Sequence, residues 1–563
     1  MKRILSLVCI ACLLMSLFAV IPVSARVYNG LLYSVVDEEV TITDWLEEST
    51  EVDIPAVIDG YPVTTIGKDA FAYDKNLTRV TIPEGVTTIG KGAFNRCSSL
   101  TNITIPGTVT TIGDDAFYGC DVFTSITIPG SVTSIGARAF YSCDKLVSIT
   151  MCEGVSSIGE QAFRYCISLT SIDIPKSVTV IGDFVFDDCS KLESINVDPD
   201  NTVYSSVDGV LFDKSGTTLL RYPKYKQDKE YAIPDKVVAI HKNAFDSCSY
   251  IESVTIHKDV TSIGSYAFKS CRRLKSFNVD SDNTVYSSVD GVLFTDANKT
   301  LVQYPPADSR KSYTVPAGTT SVGPYAFVGC HNLLYVSLPD GLSAIGEGAF
   351  YYCGGLNSIE IPEGVTILEE YTFRDCLKLT SVYIPGSVTS IERYAFYDCT
   401  KLADVTISEG VDTIKFYAFH GCAQLMSITI PESVTTIADN SFDGCRNLAK
   451  VTVLNSDANI GERGFIGTGD LTLYSYKGST AEAYAQKNNI PFVTLYVKGD
   501  VNRDSVLNIR DVTAIQKNLA GLLEFDSEQT DLADFNKDNA VNIKDATAIQ
   551  KYIAGIDTGF DIG

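Results

Sequence analysis

Residues 379–402 read LTSVYIPGSVTSIERYAFYDCTKL, and the reading of this stretch decides the fold. Leu379, Val382 and Ile384 carry the period-two alternation of a strand that buries one face. Pro385 ends that strand, and Val388 and Ile391 mark a second short extended stretch. Ala395 and Phe396 send a large ring into the space between the two, Cys399 follows, and Leu402 opens the next copy. The phenylalanine returns every 23 residues from Phe71 to Phe186, from Phe245 to Phe268 and from Phe327 to Phe465. That makes fifteen units, and each of the two longer steps, of 59 residues, exceeds the period by 36. One unit cannot bury such a set of side chains alone. Stacked in register, each coil covers its neighbour, so stability is a sum of neighbour interfaces and both ends need caps. The cysteine slot holds Asp74 in the first unit and Thr468 in the last, where polar side chains are expected to face water.

The repeated pattern, as in Ile105-Pro106 through Cys120, resembles the BspA-type leucine-rich repeat family. The resemblance covers about residues 51–473 and implies a mostly β solenoid used for binding, with no catalytic residues to carry over. Residues 26–50 alternate like a hairpin that caps the first coil. Insertions near 197–232 and 279–314 share the run from Asp200 to Phe212 and again from Asp282 to Phe294, and each is expected to project as a hairpin. Within residues 474–499, Ser479 and Thr480 are placed to cap a short helix through Lys487, followed by a strand from Phe492 to Val497.

Residues 1–25 combine Lys2 and Arg3, an apolar run and Val23-Ser24-Ala25, the pattern of a signal peptide with the mature chain starting at Arg26. A retained membrane anchor is the alternative; no other stretch is long and apolar enough to span a bilayer. A net charge of −24 argues against nucleic acid and anionic membrane surfaces as partners. Of sixteen cysteines, Cys9 and Cys12 lie in the signal peptide, thirteen hold one slot of the repeat, and Cys152 stands apart. Side chains in such a column point the same way, which favours buried thiols over disulfides or a zinc site. His241, His257, His331 and His420 share no catalytic or metal spacing, and acidic pairs such as Asp187-Asp188 and Glu369-Glu370 are expected to be solvated turn residues. No catalytic residue is assigned.

The tail, residues 500–563, has a different grammar: DVNRDSVLNIRD from Asp500 and DFNKDNAVNIKD from Asp534. The first supplies oxygens from Asp500, Asn502, Asp504, the Val506 carbonyl, Asn508 and Asp511; the second from Asp534, Asn536, Asp538, the Ala540 carbonyl, Asn542 and Asp545. A twelve-residue loop with such oxygens at positions one, three, five, seven, nine and twelve surrounds a hard cation, so two calcium ions are expected. Aspartate closes each loop where glutamate is common. Ser505 and Asn539 stand where glycine is usual, and serine tolerates positive φ less readily than asparagine. Each loop runs into a helix-forming stretch ending at Gly521 or Gly555.

This duplicated loop and helix resembles the type I dockerin family, whose partner is a cohesin domain on a cellulosome-type scaffold. The resemblance maps the docking face onto Ile509, Arg510 and Lys517 in one half and Ile543, Lys544 and Lys551 in the other, and the likeness of the halves suggests that either can dock. The chain as a whole therefore reads as a mostly β leucine-rich-repeat solenoid with a small all-α calcium-binding module, secreted and tied to an extracellular complex. The solenoid is expected to bind a protein or polysaccharide, and Ser337, Glu360 and Tyr383, which break an outward row of threonines, are the candidate contacts. The alternative is an enzyme, or a modulator of enzymes, with its site in the inserted hairpins.

Overall fold

A computed structural model describes residues 26–295 and 298–556, so the expected signal peptide lies outside the described residues. In the 23-residue units the two extended segments become two short strands, and most pair in parallel with their counterparts one coil on. Thus Ser381–Ile384 pairs with Asp404–Ile407, and Ser390–Ile391 with Thr413–Ile414. Val382, Ile384, Val388 and Ile391 turn into the coil and are buried, as the alternation requires. The phenylalanine rings stack face to face: from Phe327 to Phe465 successive centroids lie 4.9 to 5.4 Å apart. The chain divides into two compact units, residues up to Lys229 with Pro234–Ile251 and Ser262–Cys271, and Glu230–Ile233 with Glu252–Thr261 and everything from Arg272.

In the first unit Arg26–Tyr28, Leu31–Val36 and Glu39–Trp45 form an antiparallel cap, and the last pairs in parallel with Tyr61–Ile66. Trp45 covers the end ring Phe71 at 6.4 Å. Asp74 departs from its expected exposure: it is buried, and its carboxylate accepts the Asn76 and Leu77 backbone N–H groups at 2.9 and 3.2 Å. A carboxylate here satisfies turn donors, which a thiol cannot do as well.

The first insertion does not project. Tyr204–Val207, Val210–Asp213 and Thr218–Arg221 form an antiparallel meander whose last strand pairs in parallel with Ala239–Ile240. Val210, Leu211 and Phe212 are buried, and the hairpin tip folds back so that the Gly209 carbonyl accepts the Ile195 N–H at 2.8 Å. Gly209 has φ +75°, and a Cβ there would meet Ser194 Cβ at 2.7 Å, so both the turn and the close approach require glycine. Tyr222 then takes the phenylalanine slot and stacks on Phe245 at 5.1 Å. The insertion is thus a coil of 36 residues that continues the stack, not an ornament on it. Asn201 secures its entry: the buried amide donates to the Pro175 and Val178 carbonyls and accepts from Val203 and Tyr204 N–H.

Asp187 overturns a second expectation. It is buried, pairs with Arg221 at 2.8 Å, and Arg221 Nη1 also donates to the Asn243 carbonyl. The partner sits 34 residues away on the long coil, which is why the turn looked solvated from sequence. Asp188 is held between Arg164 and Lys224.

The second unit repeats the device: Tyr286–Val289, Val292–Thr295 and Thr300–Gln303 form the meander, the last pairs with Ser321–Val322, and Tyr304 stacks on Phe327 at 5.2 Å. At the far end Thr472–Tyr476 pairs with Lys450–Val453 and Phe492–Leu495. Helix α1 (Thr480–Asn488), capped by Ser479, lays Tyr484 edge-on against Phe465 at 5.8 Å, and the Phe465 N–H donates to its hydroxyl. Thr468 is half-buried and donates to the Phe465 carbonyl.

All fourteen cysteines from Cys97 to Cys445 are free, and thirteen are buried. Most of the column thiols donate to the carbonyl of the preceding coil's phenylalanine, as Cys399 does to Phe373 at 3.1 Å. Burial pushes the Cys97 and Cys189 thiols up to about 12.

Candidate calcium module and binding face

Three helices follow Asp500: α2 (Ile509–Leu519), α3 (Ser527–Ala533) and α4 (Ile543–Ile553). Val501, Val512, Ile515, Phe535, Ala546 and Ile549 form their common core, with α2 against α4. Helix α3 was not expected from sequence, although Asp526 and Gln529 form a capping box that signals its start. It is tied to the first loop, since Arg503 pairs with Asp526 at 2.5 Å and Glu528 at 2.8 Å.

The two loops are built alike. Asp500 accepts backbone N–H from Asp504 and Ser505, and Asp534 accepts from Asp538 and Asn539. Asn508 and Asn542 cap α2 and α4, and each donates its amide to the carbonyl two residues back, Val506 or Ala540, at 2.7 and 2.8 Å. Asp511 and Asp545 fold inward: each accepts from the capping asparagine at 2.9 Å and from Asn502 or Asn536 at 3.1 Å. A closing aspartate is therefore also the N3 carboxylate of its helix's capping box, a role its length suits. Ser505 and Asn539 have φ of +70° and +65°, so the serine carries the strain that asparagine tolerates.

Among the described residues no three His, Cys, Asp or Glu side chains converge as a metal cluster. The electrostatics nevertheless suit a cation. Burial raises the carboxyls of Asp500 and Asp511, and nearby carboxylates raise them further, Asp511 and Asp504 acting on Asp500 and Asp504 on Asp511. A divalent ion reverses that repulsion. Ile509 and Ile543 are 58% and 57% exposed at matching helix starts, and Arg510, Lys517, Lys544 and Lys551 are exposed as well.

On the solenoid, strands Tyr335–Ser337, Ser358–Glu360, Ser381–Ile384 and Asp404–Ile407 lie side by side. Their outward residues line a depression of about 490 Å³ that contains the three expected contacts, Ser337, Glu360 and Tyr383. It also contains Thr406 of the same row, and Tyr335, Ser358, Ser381 and Asp404 of the row two residues upstream, which sequence alone did not single out.

Parallel coils of leucine-rich type followed by a paired loop and helix define a repeat solenoid with an EF-hand-like appendage. The chain belongs to the BspA type leucine rich repeat region family, whose model matches residues 64–193, 224–295, 307–387 and 366–488. Residues 498–554 match the type I dockerin domain, a domain that binds calcium. Similar solved structures include a leucine rich cell surface protein from Faecalibacterium prausnitzii, 27% identical over 76% of this chain and 94% of that one, TM-score 0.41. A leucine-rich repeat protein from Eubacterium ventriosum is 20% identical over 79% and 94%, TM-score 0.41. The pneumococcal vaccine antigen PcpA is 20% identical over 84% and 99%, TM-score 0.40. No curated protein matches the chain. No helix among the described residues is long and apolar enough to cross a membrane.

Proposed function

We propose that this chain is an exported, non-catalytic adaptor. Its dockerin docks on a cohesin of a cellulosome-type scaffold outside the cell, and its solenoid holds a second molecule, a protein or a polysaccharide. The observation that carries this reading is the duplication of one loop geometry, capping box included, before α2 and α4. Two calcium ions are held by Asp500, Asn502, Asp504, the Val506 carbonyl, Asn508 and Asp511, and by Asp534, Asn536, Asp538, the Ala540 carbonyl, Asn542 and Asp545. Bound calcium supplies positive charge to the carboxylates and fixes both loops at the starts of α2 and α4. Docking uses Ile509, Arg510 and Lys517, or Ile543, Lys544 and Lys551, whose matched exposure supports use of either half. Calorimetry on the whole chain should find two calcium ions bound, and cohesin binding should disappear in chelator. Undiminished docking without calcium refutes the reading.

The rival reading, an enzyme with its site in the insertions, has one observation in its favour, a pocket of about 180 Å³ beside the first long coil lined by Asp183, Asp187, Arg221, His241 and Lys242. Both carboxylates are already engaged, Asp183 by Lys242 and Asp187 by Arg221, each at 2.8 Å, so neither is poised as a general base. A screen of wall polysaccharides and peptides that found turnover lost in the Asp183→Asn variant would favour the enzyme.

A further inference from the structure

The outward rows of the solenoid strands are mostly serine and threonine, as in Ser125 and Thr127, Ser148 and Thr150, and Ser427 and Thr429. The stretch from Tyr335 to Thr406 departs from this with two tyrosines, 53% and 46% exposed, and two carboxylates. Strands lie about 4.8 Å apart with a rise of about 3.3 Å per residue, so Glu360 is about one strand spacing from Tyr383 and about 8 Å from Tyr335. All belong to the second unit.

Other carboxylates on this kind of face are answered from within the chain: Asp173 accepts the Asn196 amide at 2.9 Å. Where carboxylates stand on the same kind of face near the first coil, the chain supplies the cation itself, Arg79 holding Glu51 at 2.7 Å and Asp53 at 2.9 Å. Glu360 and Asp404 have no ion pair among the described residues. The chain also shows what a tyrosine of these strands accepts: Lys450 Nζ lies 4.7 Å from the Tyr474 ring, on the neighbouring coil of the same ladder. A row of aromatic faces beside unpaired carboxylates is therefore complementary to ammonium and guanidinium groups. Anionic ligands are repelled, by the patch and by the net charge of −24. A neutral sugar would stack on the rings and donate hydroxyls to the carboxylates, but would neutralise neither.

We propose that the depression bounded by Tyr335, Glu360, Tyr383 and Asp404 binds an extended basic segment of a partner protein, with Lys or Arg side chains set between the tyrosines and against the carboxylates. This rests on the reading of the solenoid as a binding element and names the chemistry of its ligand. Isolated exposed ion pairs are weak, so recognition comes from several cations at once and is salt-sensitive.

The test uses the full calcium-loaded chain, titrated by calorimetry at low salt with a short peptide of alternating serine and lysine, its glutamate counterpart, and cello- and xylo-oligosaccharides. The basic peptide should bind and the acidic one should not. Affinity should fall about tenfold in E360Q/D404N and again in Y335A/Y383A, and should weaken steeply with salt. The T127A/T150A variant, on a serine and threonine stretch of the first unit, should bind unchanged. Peptide binding that survives both double variants, or no peptide binding at all, overturns the proposal. Oligosaccharide binding lost in Y335A/Y383A but kept in E360Q/D404N overturns it too, while leaving the face as the solenoid's binding site. Cohesin binding, measured in parallel, reports on the adaptor reading separately.

Discussion

Raising the pH should unfold the solenoid, and the buried thiol column sets where. Burial lifts the thiols of Cys97 and Cys189 to about 12 and raises those of Cys120, Cys143, Cys166, Cys271, Cys330, Cys376, Cys399 and Cys422 as well. In the unfolded chain a thiol titrates near 8.5, about three units below the two values above. The folded group holds its proton more tightly, so its contribution is intact below about pH 8.5 and is lost progressively as pH rises toward about 12. At pH 10 the penalty is about 2 kcal/mol for each such thiol. A 23-residue coil, at about 0.05 to 0.15 kcal/mol per residue, holds only about 1 to 3 kcal/mol of net stability. Coils should therefore open near pH 10. Far-UV circular dichroism and thiolate absorbance, followed together on the reduced chain, should change in one coincident transition. Replacing Cys376, Cys399 and Cys422 by alanine should move local opening of those coils to higher pH, at a cost of about 1 kcal/mol each near neutrality. Thiolate absorbance below pH 9 exceeding that of the single half-buried Cys152, while the dichroism stays intact, would refute the reasoning.

Phe396→Ala removes a fully buried ring stacked at 5.2 Å on Phe373 and 5.1 Å on Phe419, and should destabilise its coil by about 4 kcal/mol, read as lost hydrogen-exchange protection of the Phe396 and Cys399 amides. Arg221→Met strands buried Asp187 and should cost about 3 kcal/mol in denaturant unfolding, with part recovered in D187N/R221M. Changing Ile509 and Arg510 together to alanine should leave cohesin affinity within a few-fold, because Ile543 and Lys544 offer the same surface; a surface-binding assay that found docking abolished would rule out equivalent halves. Native chain treated with a thiol reagent should react at half-buried Cys152 and little elsewhere between Cys97 and Cys445, whereas denatured chain should react at all fourteen cysteines of that stretch.

The repeat was legible because each coil makes the same contacts, so Phe396 and Val382 inherit their environment from residues exactly one period away. Tyr222 and Tyr304 were not read as members of the ring column, since the 36-residue coils that carry them break the spacing by which membership was judged. Their flanking sequence held a clue: Leu219 and Leu301, three residues before each tyrosine, are the buried strand positions that pair with Ile240 and Val322. The two loops before α2 and α4 were legible as a matched pair, because Asp and Asn recur in them at the same spacing and each runs into a helix. Helix α3 was missed because its seven residues show no apolar period, only the cap at Asp526. The Asp187–Arg221 pair and the row from Tyr335 to Asp404 depend on which residues of different coils become neighbours. That is a property of the stack, invisible within any one coil.

The long coils suggest how such a chain can change length. Asp200 and Asp282 occupy equivalent places and stand 82 residues apart. Excising residues 187–268 would join Phe186 to Lys269, and the next ring in the column would be Tyr304 instead of Tyr222, with every strand still in phase. A shortened chain of that kind would keep its period, so length can change by a whole block of coils without disturbing the stack.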